Sequence, residues 1–439
     1  MVRQPAIWRR SVISLFSGAG GLDLGLEAAG FSTKLCVEID TDACRTLRRN
    51  RPNWKIASPG DIHKLTPADV LKQARVRRRQ VGLIAGGPPC QPFSKSGYWA
   101  TGDSKRLKDP RASTLGAYLD IVEAALPRVI LLENVNGMAF AKKDEALRML
   151  RRKLSAINKR NGTKYKAQIL RINAADFGVP QFRERIFIVA SSDGRKLKMP
   201  AATHGEKPSP NVAAYMTTWD AIGEFDKAKY SIKLAPCGRW AGLLPTIPEG
   251  ENYLWHTKHS KGEPLFGWRT RFWSFLLKLA KDRPSWTIQA QPGPATGPFH
   301  WRGRLLSVTE LARLQTFPKG YRIVGNRAAG QRQVGNAVPC AIGELLGLEI
   351  RRQFLGEEIK RKLTLIPRKR RYCPAPHPSV TVPRRYLKLA GNHKDHPGTG
   401  LGPASIERVQ AAPHLDRSAS AKMITKLRPQ GRAVALVIR

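Results

Sequence analysis

Acidic residues are scarce in this chain of 439 residues: 33 Asp and Glu stand against 76 Lys and Arg, for a formal net charge of +43. An excess of that size repels itself unless anions gather around it, so the expected partner is a polyanion, nucleic acid before an acidic membrane face. A basic tail on an ordinary enzyme explains only part of it, because the clusters Arg75 to Arg79 and Arg151 to Lys153 lie well upstream. Long apolar runs are also missing. No stretch approaches the roughly eighteen residues a membrane span needs, so no membrane association is expected. Cysteine is sparse, and Cys36, Cys44, Cys90, Cys237, Cys340 and Cys373 are scattered with no close pair. That spacing argues against a disulfide framework or a zinc ribbon, and fits a reducing cytoplasm with no metal site. Arg9 and Arg10 ahead of Ser11 to Phe16 imitate a twin-arginine export signal, but the apolar region runs at once into Gly18, Gly20, Gly21 and Asp23.

What is present is the grammar of an α/β protein. Val12 to Phe16 is a buried-strand run that breaks into SGAGG at 17–21, followed by helical periodicity through Leu22, Leu24, Leu26 and Ala29 up to Gly30. Strand, glycine loop and helix form the first unit of a nucleotide-binding sheet. Leu35 to Ile39 is a second strand ending in Glu38 and Asp40, where an acidic side chain accepts from ribose hydroxyls. Asp23 stands where a dinucleotide fingerprint wants its third glycine, which disfavours a pyrophosphate cofactor. A short third strand is expected before Gly60, Asp61 and Ile62.

The chain is organised around GGPPCQPFS at 86–94, which follows the apolar run Val81 to Ala85. Gly86 and Gly87 permit a sharp exit and close approach of a ligand, and Pro88 and Pro89 fix φ. Cys90 is thereby expected outside the carboxyl end of a parallel strand, where open α/β sheets place their ligands. A second strand, Val129 to Leu132, delivers Glu133 and Asn134 to the same edge. Lys95 to Arg111 reads as a long loop beside the site. A basic helix near 144–159, a strand at 167–172, the turn Asp176 to Pro180 and the strand at 181–190 complete this part.

From 191 to 303 the alternation stops, and Trp219, Trp240, Trp255, Trp268, Trp273, Trp286 and Trp301 accumulate. This reads as a separate irregular domain whose aromatics stack on bases or, for most of them, fill a small core. Order returns at 304–355, with Ser307 or Thr309 capping a helix and QVGNAVP at 333–339 opening another. The remainder, 356–439, is basic and proline-rich with little periodicity. Disorder is its default, and a phosphate-binding arm its candidate role.

Together, FSGAGGLDLGL, EID, GDI, GGPPCQPFS, ENV, FGVPQFRERIF, RLLSVTELARLQTFP and QVGNAVP occur in the order found in DNA cytosine-5 methyltransferases, and the chain resembles that family over roughly 10–190 and 304–355. The resemblance implies a Rossmann-like sheet built for S-adenosylmethionine, with a smaller target recognition domain at 191–303. It implies double-stranded DNA as substrate, a flipped-out cytosine, Cys90 as nucleophile toward carbon 6 and Glu133 at ring nitrogen 3. Arg183 and Arg185 would line the same pocket, Arg185 on the cytosine oxygen. Phe16, Ser17, Gly18, Ala19, Gly20 and Gly21 would border the cofactor, with Glu38 on its ribose, Ile39 and Ile62 nearby, Asp61 on the adenine amino group, Pro89 beside the nucleophile and Asn336 toward the methionine end. Ser94, or Lys105 and Arg106, would touch phosphate as the loop closes. Two departures stand out: Ser14 where members usually carry Asp, and Ile39 where some carry an aromatic.

A tRNA-modifying branch of the family carries a Cys-Phe-Thr signature in its second domain. Here Cys237 is followed by Gly238 and Arg239, which argues for DNA. A catalytically silent DNA-binding protein would have lost Cys90 or Glu133, and a nicotinamide dehydrogenase has no use for GGPPC followed by ENV. The recognised site, a cognate restriction endonuclease as opposed to an orphan methylase, and the base that removes the carbon 5 proton stay open; a monomer is the default.

Overall fold

The computed structural model describes residues 10–88, 112–134, 145–226, 234–269 and 272–395. A six-stranded mixed sheet forms its centre, in the order β2-β1-β3-β4-β6-β5. β1 (Ser11–Leu15) lies between β2 (Ser32–Val37) and β3 (Leu83–Gly86), and β3 pairs with β4 (Val129–Asn134), all parallel. β6 (Glu184–Ser191) runs antiparallel to both β4 and β5 (Gln168–Asn173). The chain leaves β1 for β2 on one side and returns to β3 on the other, so a crevice opens at the carboxyl ends of these strands. The expected third strand reduces to one bridge between Ile56 and Cys36, because Ser58 and Pro59 follow within two residues and end the pairing.

The near-continuous apolar runs bury both faces of the sheet, as strands covered by helices on both sides require. Ile13, Leu15, Ile84, Ile130, Leu132, Ile186 and Ile188 pack on one face with α3 (Pro67–Ala74), α4 (Ala112–Ala125) and α5 (Glu145–Asn161). Val12, Leu83, Ala85, Leu131, Phe187 and Val189 point the other way, toward α1 (Gly21–Ala28) and a late helix, α9 (Cys340–Phe354). α1 and α9 meet at glycines: a Cβ on Gly25 would clash with the carbonyl of Cys340, and one on Gly343 would approach the carbonyl of Leu22 within 2.7 Å. The last long helix of the sheet part thus closes on its first.

Between β6 and α7 (Val308–Leu314) the backbone is mostly irregular, with α6 (Thr218–Ile222) its one α-helix among the described residues. Its apolar side chains divide between two cores. Ala221, Ile222, Leu279, Ile288 and Trp301 join Ala19, Leu24, Leu47 and Leu311 of the sheet part. Leu243, Leu244, Ile247, Tyr253, Leu265, Leu276 and Phe299 form a separate cluster ringed by Trp240, Trp255, Phe266 and Phe275.

The expectation of disorder beyond residue 355 does not hold for 356–395. These residues build no core of their own, as their composition foretells, but they attach to cores built elsewhere. Thr364 and Leu365 donate their amides to buried Glu344, Arg370 donates its amide to Asp220 (2.7 Å), and the Trp219 indole donates to the carbonyl of Tyr372 (2.7 Å). In α10 (Arg384–Leu387), Tyr386 enters the second cluster at 4% exposure and stacks on Trp240. Asp395 receives the amide of Trp268 (2.7 Å) and pairs with His259. Residues 396–439 lie outside the described residues.

Candidate active site

A cavity of about 370 Å³ opens at the carboxyl ends of β1 to β4, a size suited to a small organic ligand. Phe16, Ser17, Gly18, Gly21, Glu38, Ile39, Glu133, Arg183, Arg185 and Asn336, separated by up to 320 residues of sequence, all line it, together with Pro88. β1 exits through a tight bend: Phe16 adopts φ 60°, a costly conformation for a bulky residue, and Gly18 and Gly20 follow at φ 54° and 80°. The bend aims the Gly18 amide at Glu38 Oε2 (2.6 Å), while Asp40 donates its amide to Glu38 Oε1 (2.7 Å). One amide of the glycine loop is thereby spent on the carboxylate that follows β2. Burial raises the Glu38 pKa and these two backbone bonds lower it, burial prevailing.

Glu133 projects from the end of β4 with its side chain 13% exposed, and Arg185 Nε lies 3.1 Å from its Oε1. Burial raises its pKa against the pull of Arg185 and Arg183. Gly87 comes so close that a Cβ there would stand 3.0 Å from Glu133 Oε2. A side chain at position 87 would press on this carboxyl, and glycine avoids that. Cys90 and Pro89 lie outside the described residues, as do Ser94, Lys105 and Arg106.

The family model for C-5 cytosine-specific DNA methylases matches residues 10–352. The chain belongs to that family. Among similar methylases are the type II methyltransferase M.SacI of Streptomyces achromogenes, 36% identical over 76% of this chain and 91% of its own, and M.AquIA of Picosynechococcus, 44% identical over 50% of this chain and 90% of its own. Two solved structures share the fold. A candidate DNA modification methyltransferase from an Escherichia coli prophage superposes with a TM-score of 0.55 at 24% identity, covering 79% of this chain and 99% of that one. A mutant of Spodoptera frugiperda DNMT2 does so with 0.53 at 17%, covering 77% and 99%.

In this methylase the residues expected at the site do not all reach it. Ala19 is buried in the core beside Leu24 and Trp54, and a Cβ on Gly20 would face Leu47 and Tyr321, so both hold the bend without lining the cavity. Asp61 and Ile62 also lie off the lining; Asp61 caps a short turn through the amide of His63 (3.0 Å), and Gly60 packs against the Glu38 carbonyl. Arg183, 1% exposed, grips backbone carbonyls of Ile288 (3.3 Å), Gly335 (2.8 Å) and Ala337 (3.0 Å). It thereby joins β6, the irregular segment and the chain around Asn336 into one wall. Among the lining residues that escaped the sequence reading as site residues are Arg332, paired with Asp40 at 2.7 Å across 292 residues, Gln333, and Asp23. Asp23 had been read only as a missing glycine.

Proposed function

We propose that this methylase modifies carbon 5 of cytosine in double-stranded DNA, with S-adenosylmethionine as donor, Cys90 as nucleophile and Glu133 as acid. The placement of Glu133 supports this most: a nearly buried carboxyl beside Gly87, in the cavity that also holds Glu38, with Pro88 and Pro89 alone separating Gly87 from Cys90 in the chain. Carbon 5 of cytosine is too weakly nucleophilic to take a methyl directly. Addition of the Cys90 thiolate to carbon 6 breaks the carbon 5–carbon 6 double bond and leaves carbon 5 enamine-like. Glu133 gives ring nitrogen 3 a proton or a hydrogen bond as that charge develops, a role that its raised pKa suits. Arg185 beside it is in place for the cytosine oxygen. Once carbon 5 carries the methyl, loss of its proton restores the double bond and expels the thiolate.

The cavity fits the donor. When bound, S-adenosylmethionine supplies its methyl as an electrophilic sulfonium substituent. Each Glu38 oxygen is held by one backbone amide and keeps acceptor capacity for ribose hydroxyls. Ile39, 68% exposed, offers an apolar surface for adenine, and Asn336 borders the other end. Asp61 keeps Oδ2 for the adenine amino group.

A duplex hides carbon 6 in its stack, so the target base is flipped out. Residues 191–303 serve as the target recognition domain; the exposed Phe272, Trp273 and Trp286 near Arg269 suit contact with bases. Similarity to M.SacI and M.AquIA along nine-tenths of their lengths supports a protective role beside a restriction endonuclease encoded separately. In the test, methyl-labelled S-adenosylmethionine is incubated with DNA and with tRNA. Label enters DNA alone, and Cys90→Ser abolishes it; label in tRNA, or full activity of the variant, overturns the reading.

A further inference from the structure

Four carboxylates line the cavity: Asp23, Glu38, Asp40 and Glu133. Three are engaged. Glu38 holds the amides of Gly18 and Asp40, Asp40 caps α2 (Thr41–Asn50) through the Ala43 amide (2.9 Å) and pairs with Arg332, and Glu133 pairs with Arg185. Asp23, in the first turn of α1 and 1% exposed, has a hydrogen-bond partner on neither carboxylate oxygen. Ser14 on β1 is the side chain that most opposes the effect of burial on Asp23; its hydroxyl accepts from Ser17 (2.9 Å) and keeps a single proton, enough for at most one of the two oxygens. A buried carboxylate with two unmet oxygens is costly, and nothing in the core requires a carboxylate there.

We propose that Asp23 receives the α-ammonium group of the donor's methionine moiety. This rests on S-adenosylmethionine being the donor. Of the two cationic centres in that molecule, the sulfonium has no N–H to offer, whereas the ammonium carries three donors for two unmet oxygens. Position agrees with chemistry. α1 packs through Gly21 against the carbonyl of Val338, two residues past Asn336, and Asp23 and Asn336 line the same cavity. With serine at position 14, β1 supplies no carboxylate to this wall, and α1 supplies it instead.

The assignment links binding to a proton. Burial pushes Asp23 up to about 7, and an ammonium alongside stabilises its ionised form, so binding near neutral pH releases a fraction of a proton. The other titratable groups around Asp23 are Glu27 on its own helix, Cys36 of β2, Glu38 just past that strand, Tyr321, and Cys340 of α9. Burial drives both thiols and the Tyr321 phenol to higher pKa, away from this range.

The test compares calorimetric binding of S-adenosylhomocysteine, which lacks the sulfonium charge, with its desamino analogue, using the full chain. Asp23→Asn is expected to weaken S-adenosylhomocysteine about tenfold or more while changing the analogue less than about threefold. Wild-type binding in buffers of different ionisation enthalpy should show proton release with S-adenosylhomocysteine and not with the analogue, a readout independent of how the variant folds. Equal losses for the two ligands, or equal proton release, would refute the role of Asp23. Failure of the wild type to bind either ligand would instead refute the choice of donor, and this assignment with it.

Discussion

The crevice at the strand ends and the irregular lobe at 234–300 solve the problem of holding a surface in place by opposite means. In the crevice, Glu133 is fixed by strand register and Glu38, just past β2, is held by the amides of Gly18 and Asp40. In the lobe, the cluster around Leu244 and Phe299 has no sheet beneath it and is completed by Tyr386, a residue from the far end of the described chain. Rigid chemistry sits where periodic structure supplies precision. The lobe proposed to read DNA is assembled from aromatic contacts and a strap, a construction that tolerates changes of surface without disturbing the crevice.

The sharpest way to break this contrast is Glu133→Gln. Turnover in the labelling assay should fall by about 10² to 10⁴, with the melting temperature little changed. The acid role proposed for Glu133 requires its protonated form, so activity should decline as pH rises through its raised pKa. Arg185 favours the ionised form, so Arg185→Gln should move that decline to higher pH. A decline that stays in place would detach the carboxyl from the chemistry.

The strap supplies the next largest effect. Tyr386→Ala removes a buried ring and a hydrogen bond to the Arg239 carbonyl (2.8 Å), and should cost about 3 kcal/mol in denaturant unfolding. Ending the chain after residue 355 should cost more, because Glu344, Asp220 and Trp219 also lose their partners. Unchanged stability in either case would mean that the lobe holds itself. The smallest effect is expected from ending the chain after residue 395. Melting and site preference should stay as they are, while DNA affinity falls less steeply with salt, since basic residues that attract phosphate without reading bases are gone. An altered site preference, scored by bisulfite mapping, would move base reading into that segment.

Sequence showed the crevice well because its signals are local. Apolar runs ending in glycine or acid mark β1, β2, β3 and β4, and those ends line the cavity. The run before Gly60 failed as a strand because two residues of pairing do not make one. Arg332 was invisible because its meaning depends on Asp40, 292 residues away. Arg183 was expected in the pocket wall, but periodicity cannot reveal its grip on three carbonyls. The strap was misjudged for a related reason: composition reports whether a segment can build a core, not whether it can borrow one.

The glycine contact between Gly25 and α9 also bears on how the protein is made. The apolar face of α1 leaves the ribosome more than 300 residues before its cover, α9, has been translated. At typical elongation speeds the nascent chain carries that face uncovered for roughly fifteen seconds to a minute, and during that interval it is a natural binding site for a chaperone.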